Sequence, residues 1–260
     1  MNRISVFYFS CFSFFVFLAP PPVSAQPAHV KSGQPVPFAV GETLTYDVSW
    51  SSFVSAGQAT LSVQERTSAA GASTYHIVAD GRPTPLVSSL YTLYYKVESW
   101  LDTSNLLPRR ASTYTEEGRR RRSTSVTFDQ RAHKAVYDAG GTRRSFTIPP
   151  LTQDALAALY VLRALHVASG AQLTMPVVNN GELHHVTLTA GSRDTVECGL
   201  GAVQATRVDF QATDSKGEPV GRNMAVWLTG GRRQVPVQIR AELAVGSFRL
   251  VLRDAHGLRQ

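Results

Sequence analysis

Residues 152–167, TQDALAALYVLRALHV, form the only long stretch of this chain whose pattern predicts an α-helix. The two prolines at positions 149 and 150 prevent a helix from continuing upstream, and Thr152 can cap the first free backbone N–H groups. Asp154 falls in the first turn, where a negative charge favours the helix dipole, and Gly170 follows as a stop signal. These signals predict one well-defined helix in the middle of the chain.

The predicted helix is apolar on almost every side. At 100° per residue, Leu156 and Tyr160 lie on one face, while Leu162 and Leu165 lie on the opposite face. A helix of this kind is normally buried, and nearly all of the sequence around it has the pattern of strands. The predicted fold class is therefore mainly β: a strongly curved antiparallel sheet, an open or half barrel, packed with one main α-helix.

The first strands are predicted from alternation between apolar and polar residues. Residues 43–50, TLTYDVSW, place Tyr46 and Trp50 on the apolar face, and residues 57–63 alternate in the same way, which predicts a hairpin. The aromatic stretch at residues 91–101, YTLYYKVESWL, carries large rings on both of its faces. Ordinary cross-strand aromatic packing is the favoured interpretation, and the alternative is that one face meets a ligand or the helix.

The first 25 residues have the layout of a secretory signal peptide. Arg3 gives a positive start, residues 4–18 are an apolar run, and Val-Ser-Ala ends the segment as a small-residue cleavage pattern. The apolar run of about 15 residues is shorter than the ~20 that span a bilayer, which favours cleavage near Ala25 over a membrane anchor. We therefore expect a periplasmic protein. Its predicted segments are a flexible lead-in at 26–37, a single β-rich domain at 38–252 and a C-terminal tail at 253–260.

The composition of the mature chain fits one exported domain. Cleavage leaves 235 of the 260 residues and, because Arg3 is lost, takes the formal charge from +7 to +6. A chain of this length can bury roughly 70% of the surface that its unfolded form exposes. Cys198 is the one cysteine that remains, which excludes a disulfide within the mature chain.

Sequence signatures of catalysis are missing from the chain. It contains no Gly-x-Ser-x-Gly nucleophile elbow, phosphate-binding glycine loop or dinucleotide fingerprint, so neither an enzyme nor a cofactor is expected. Glu182 and His184 would share a strand face, but two ligands are too few to predict a metal site. Export, and the lack of a recognition helix or RNA-binding aromatic motif, argue against a nucleic-acid partner.

A run of four arginines, Arg119, Arg120, Arg121 and Arg122, is the strongest charge feature of the chain. It falls at the predicted tip of a hairpin, directly after two glutamates at positions 116 and 117. Guanidinium groups at a turn can engage phosphate, sulfate or an acidic polysaccharide bidentately. The alternative interpretation is a solvated tip that the two glutamates partly neutralise.

Three stretches in this order resemble an exported bacterial family, domain of unknown function 3108. They are GETLTYDVSW with SAGQATLSV (residues 41–50 and 55–63), DALAALYVLR (154–163) and AVWLTGGRRQVPVQI (225–239). The resemblance covers residues 38–252. It implies a strongly curved antiparallel sheet carrying a helix, similar in outline to the periplasmic lipoprotein carriers, which shelter acyl chains in an open half-barrel. It implies no activity, because fold does not fix function.

Two functions follow as hypotheses. In the first, a non-enzymatic periplasmic protein binds a lipid, a lipoprotein acyl chain or another amphipathic ligand between the concave sheet and the helix. The expected lining consists of Tyr46, Trp50, Tyr95, Val97, Leu156 and Tyr160, with Arg163 available for an anionic headgroup. A structural ion pair is the alternative role of Arg163. In the second, the protein is an envelope interaction module whose basic hairpin engages an anionic glycan or a protein partner.

Overall fold

The computed structural model describes residues 26–51, 54–69, 72–90, 92–243 and 246–259. The predicted signal peptide, residues 1–25, and its cleavage site lie outside the described residues. In chain order the elements are β1 (Gln26–Pro27), β2 (Thr43–Trp50), β3 (Val54–Ala69), β4 (Ala72–Pro83), α1 (Pro85–Leu90), β5 (Leu93–Asp102), β6 (Pro108–Glu117), β7 (Arg120–Asp129), β8 (Lys134–Ala139), β9 (Thr142–Thr147), β10 (Gln153–Asp154), α2 (Ala155–Leu165), β11 (Gln172–Asn179), β12 (Glu182–Cys198), β13 (Gly201–Thr213), β14 (Arg222–Thr229), β15 (Pro236–Leu243) and β16 (Gly246–His256).

All the strands belong to one sheet, which confirms the predicted fold class. Strands β2 to β9 pair with their neighbours in sequence, as do β11 to β16, and antiparallel pairing of β16 with β2 joins the two series. Short β1 and β10 add to β11 in parallel. Two-residue turns make such a meander possible, and Asn180-Gly181 between β11 and β12 has the two positive φ angles, 49° and 76°, that this turn requires.

At one end of the sheet, β9 approaches the turn between β11 and β12, and in the described part of the chain it does not pair with β11 or with the short strands β1 and β10. Side chains bridge this seam. Arg144 Nη2 donates to the Gly181 carbonyl oxygen at 2.6 Å, and the Tyr137 ring packs so closely that a Cβ on Gly181 would lie 2.5 Å from it. A small apolar cluster lies beneath, formed by Val126, Phe128, Ala135, Ile148 and Val178. The sheet is therefore strongly curved and open.

Helix α2 enters the inside of the curved sheet and is shorter than the sequence predicts. Asp154, not Thr152, is the N-cap, and its carboxylate accepts from the amides of Leu156 and Ala157 at 2.9 and 2.8 Å. Thr152 instead donates its hydroxyl to the Pro149 carbonyl at 2.6 Å, because the residues after it pair with β11 as β10. The helix ends at His166, which has a left-handed φ of 47°.

Both ends of the domain differ from the prediction of a flexible lead-in and a tail. Ala28, Val30 and Val36 are buried in the main core, and β1 pairs with β11. At the other end, β16 continues to His256, and Arg259 Nη1 donates to the Val36 carbonyl at 2.6 Å. Burial of Ala28, Val30 and Val36 removes apolar surface from water, which favours a packed segment over a flexible one.

A fully buried ion pair joins α2 to the residue that precedes β2. Arg163 and Glu42 have no exposed side-chain surface and form two hydrogen bonds, of 2.6 and 3.0 Å. Arg163 Nε also donates to the Gln234 carbonyl at 3.0 Å, and its guanidinium lies over the rings of Phe38 and Tyr160. The structure thus places Arg163 in a structural ion pair and not at a surface where a ligand headgroup could reach it.

Removing one member of this pair should strongly destabilise the protein. Glu42→Gln leaves a buried guanidinium without its counter-charge, and Arg163→Met leaves a buried carboxylate, so each should cost about 3–5 kcal/mol. The double variant removes both charges and should lose clearly less unfolding free energy than the two single variants lose together. Urea denaturation at pH 7 measures all three. As a control, Asp209→Asn breaks the half-exposed Arg207–Asp209 pair and should cost at most about 1 kcal/mol. If the loss of unfolding free energy in the double variant equals the sum of the losses in the two single variants, the expected coupling between Glu42 and Arg163 is absent.

Candidate functional site

The residues predicted to line a lipid pocket fall into two groups that the structure does not bring together. Four belong to the buried core: Tyr46, Leu156, Tyr160 and Arg163. Trp50 and Tyr95, by contrast, are 46% and 40% exposed. The Tyr46 hydroxyl donates to the Pro236 carbonyl at 2.7 Å, and the Tyr160 ring meets Phe38 edge-on at 4.8 Å. Core side chains therefore fill the predicted space between sheet and helix.

Val97, the remaining predicted residue, is half-buried and faces the start of α2. It lines a hollow of about 30 Å³ together with Ala111, Val126, Asp154 and Val178. That volume is comparable to the space one water molecule occupies in the liquid. It is far too small for an acyl chain.

Asp154, at the edge of this hollow, was not among the predicted site residues. Its side chain is 3% exposed, and Ser99 Oγ donates to Oδ2 at 2.5 Å. Burial raises the pKa of Asp154 to about 6, although the hydrogen bonds from Ser99 and two helix amides act in the opposite direction. The carboxylate serves as a helix cap, and its protonation is coupled to folding.

The segment from Glu116 to Arg122, which we call the arginine hairpin, is the candidate binding surface. Glu116 and Glu117 end β6, Gly118 and Arg119 form the turn, and the other three arginines begin β7. All four arginine side chains are exposed. The sequence placed all of them at the tip, whereas the structure continues the ladder to Glu117 opposite Arg120.

Tyrosines, more than arginines, engage the two glutamates of the arginine hairpin. The Tyr114 hydroxyl donates to Glu116 Oε1 at 2.6 Å, and the Tyr95 hydroxyl donates to Glu117. Arg121 Nε lies 3.7 Å from Glu116, and in the part of the chain that the structure describes no other arginine of the hairpin has a carboxylate within 4 Å. The two glutamates therefore offset at most half of the charge of the four arginines.

Strand alternation distributes this charge over both faces of the sheet. Arg121 shares a face with Glu116, while Arg122 points to the opposite face and donates to the Tyr137 hydroxyl at 3.1 Å. Arg143, two strands away, is held by Asp138 at 2.8 Å. An anionic polymer could therefore contact guanidinium groups on either side of the hairpin.

The family model described as "Protein of unknown function (DUF3108)" matches residues 45–253 of the chain. No curated protein matches the chain. The family predicted from the three sequence stretches is thereby confirmed.

One of three similar solved structures supports the fold. A β-barrel-like protein of domain of unknown function DUF1849 from Brucella abortus is similar over 86% of this chain and 99% of its own, with 11% identity and a TM-score of 0.53. A proposed exported protein with a YmcC-like fold from Bacteroides fragilis is similar over 85% of this chain and 97% of its own, with 9% identity and a TM-score of 0.31. A proposed lipoprotein from Parabacteroides distasonis covers the same shares at 8% identity and a TM-score of 0.35.

Two further observations concern membrane-spanning helices and metal ligands in the described residues. None of their helices has the length and apolar character needed to cross a membrane. Nor do they contain three or more histidine, cysteine, aspartate or glutamate side chains placed to hold a metal ion together.

Because the pKa of Asp154 is raised in the folded protein, its contribution to the free energy of unfolding should fall as pH rises. Below about pH 4 the carboxyl is neutral in the folded and the unfolded chain; ionisation between about pH 4 and pH 6 then favours the unfolded chain. Asp154→Asn keeps an oxygen for the amides of Leu156 and Ala157 but cannot ionise. From pH 4 to pH 7 the wild type should lose about 2–3 kcal/mol relative to this variant in urea denaturation.

Asp138 is a control for which the pH dependence of stability should have the opposite sign. The hydrogen bond from Arg143 lowers the pKa of Asp138, so its contribution to stability is present above the unfolded pKa and is lost as pH falls. Asp138→Asn should therefore lose stability relative to the wild type as pH rises. An Asp154→Asn curve parallel to that of the wild type would contradict a raised pKa.

Proposed function

We propose a function for this chain from the premise that it belongs to the DUF3108 family. The protein is an exported, periplasmic, non-enzymatic component of the cell envelope. It binds an anionic glycan through the arginine hairpin. The signal-peptide pattern of residues 1–25 supports export, and the net charge of +6 that remains after cleavage supports an anionic partner.

The observation that carries this proposal is the set of hydrogen bonds at the hairpin. Among the described residues, Arg121 is the one arginine of the hairpin within 4 Å of a carboxylate, and Arg122 gives one N–H group to the Tyr137 hydroxyl. Arg119, Arg120 and the other N–H groups of Arg122 therefore remain available for a ligand. A guanidinium presents paired N–H groups that match the oxygens of sulfate, phosphate or carboxylate. Repeated anionic groups along one polymer would engage several of these arginines together.

The acyl-chain hypothesis has less support from the same structure. An acyl chain between sheet and helix would have to displace Leu156 and Tyr160, which are 7% and 0% exposed. Displacing α2 would also break the Arg163–Glu42 pair, at a cost of several kcal/mol. Lipid binding at that position therefore requires a rearranged core, whereas the arginine hairpin needs no rearrangement.

Replacing the hairpin arginines should remove polyanion binding. Wild-type protein should bind dextran sulfate and ignore neutral dextran, and Arg119–Arg122 all changed to serine should bind dextran sulfate at least about tenfold more weakly. The slope of log affinity against log salt should also become shallower, because fewer counterions are released. Isothermal titration calorimetry at several salt concentrations measures both effects.

A charge-matched variant separates the hairpin from net charge. Changing the exposed Arg131, Arg193, Arg222 and Arg232 to serine removes the same four charges elsewhere, and should change the affinity by no more than about threefold. Equal losses in the two variants would contradict a site at the hairpin. A stoichiometric lipid in organic extracts of the periplasmic protein would favour the acyl-chain hypothesis instead.

A further inference from the structure

Strand register places a row of polar residues across the outer face of the sheet, away from the core. Glu98 on β5 lies opposite Ser112 on β6, Ser112 opposite Ser125 on β7, and Ser125 opposite Asp138 on β8. A carboxylate therefore stands at each end of the row and two small hydroxyl residues lie between. Because serines are short, the row is low in the middle and forms the floor of a groove of about 440 Å³.

Stacked rings fix the wall of this groove on the β5 side. Trp100 is parallel to the His76 ring, with centroids 4.5 Å apart and planes 6° apart, and the Arg110 guanidinium lies 5.4 Å from the indole centroid. The Glu98 carboxylate accepts from His76 at 3.1 Å and lies 2.9 Å from Lys96 Nζ. Burial alone would raise the pKa of Glu98, but Lys96 and the other donors lower it, so the group is an ionised and fixed acceptor.

The wall on the β8 side is the β8–β9 turn. Asp138 accepts from the Gly141 amide at 3.0 Å and from Arg143 Nε at 2.8 Å, which holds the turn in place. The hydrogen bond from Arg143 lowers the pKa of Asp138, so this carboxylate is also ionised. Arg110 completes the set as an exposed donor that has no carboxylate within 4 Å among the described residues.

We propose that this outer groove binds one pyranose ring of the glycan that the arginine hairpin engages. The groove combines fixed acceptors, hydroxyl groups, a guanidinium donor and the indole side chain of Trp100. A pyranose ring offers the complement: hydroxyls that both donate and accept, and C–H groups that pack on apolar surface. The inference rests on the proposed function and adds the class of ligand that the surface recognises.

The groove and the hairpin lie on one continuous surface. Ser125 and Arg121 are both on the outer face of β7, four residues or about 13 Å apart. Between them Tyr114 packs against Tyr94 with ring centroids 6.1 Å apart, and Arg82 lies over Tyr94. A short oligosaccharide could therefore occupy the groove with one ring while its anionic groups reach the hairpin.

Filling the floor of the groove tests the inference. Ser112→Val with Ser125→Val keeps a residue that favours strands but removes both hydroxyls and raises the floor. This variant should bind chitotetraose and a heparin tetrasaccharide at least about tenfold more weakly than the wild type in isothermal titration calorimetry. Its salt slope for the heparin tetrasaccharide should not change, since no charge was removed. Ser145→Val with Thr147→Val, on exposed β9, is the matched control and should bind like the wild type.

The two probes separate the groove from the arginine hairpin. Chitotetraose is uncharged, so the serine variant of Arg119–Arg122 should bind it as the wild type does while losing the heparin tetrasaccharide. If the wild type does not bind chitotetraose, or if the valine variant binds both sugars normally, the groove is not a saccharide site, and the hairpin proposal stands unaffected. If the wild type fails to bind the heparin tetrasaccharide, the proposed function itself is wrong.

Discussion

The buried pair of Arg163 and Glu42 is the constraint on which the architecture depends. Each of the three stretches that resemble the family contributes to it: Glu42 comes from the first, Arg163 from the helix, and the Gln234 carbonyl from the third. A second bond, from Tyr46 to the Pro236 carbonyl, joins the first and third stretches beside it. A buried ion pair adds little net stability over an apolar core, but breaking it is costly, so it selects one arrangement of the segments that meet there.

This arrangement limits where a ligand could bind without rearranging the core. With α2 and the ion pair filling the inside of the curved sheet, the arginine hairpin and the outer groove lie on strands β5 to β8. The arginine hairpin and the outer groove belong to none of the three family-like stretches. The family resemblance thus describes how the core is packed, and the ligand-binding properties of this chain have to be argued from other residues.

The sequence predicted correctly those elements that depend only on a short run of neighbouring residues. Strand β2, residues 43–50, has the bounds that its alternation indicates. The start of α2 was misplaced because residues 153–154 pair with β11, more than twenty positions away. An arginine on an apolar helix face signals a buried counter-charge, but nothing local identifies Glu42, 121 positions earlier, as that partner. The outer groove depends on the register of four strands, which no single stretch contains.

Protection of sheet edges cannot explain all the arginines of this region. An unpaired edge strand invites pairing with other chains, and charged side chains discourage it. Arg143 and Arg144 lie on β9, the last strand of the sheet, where that explanation is sufficient. The arginine hairpin joins β6 and β7, and both strands are paired on both sides, so it guards no edge. The four consecutive arginines carry twice the charge of the two neighbouring glutamates, so an excess of positive charge remains at the hairpin and repels itself. An anionic ligand would relieve that repulsion, which is the physical reason to expect one there.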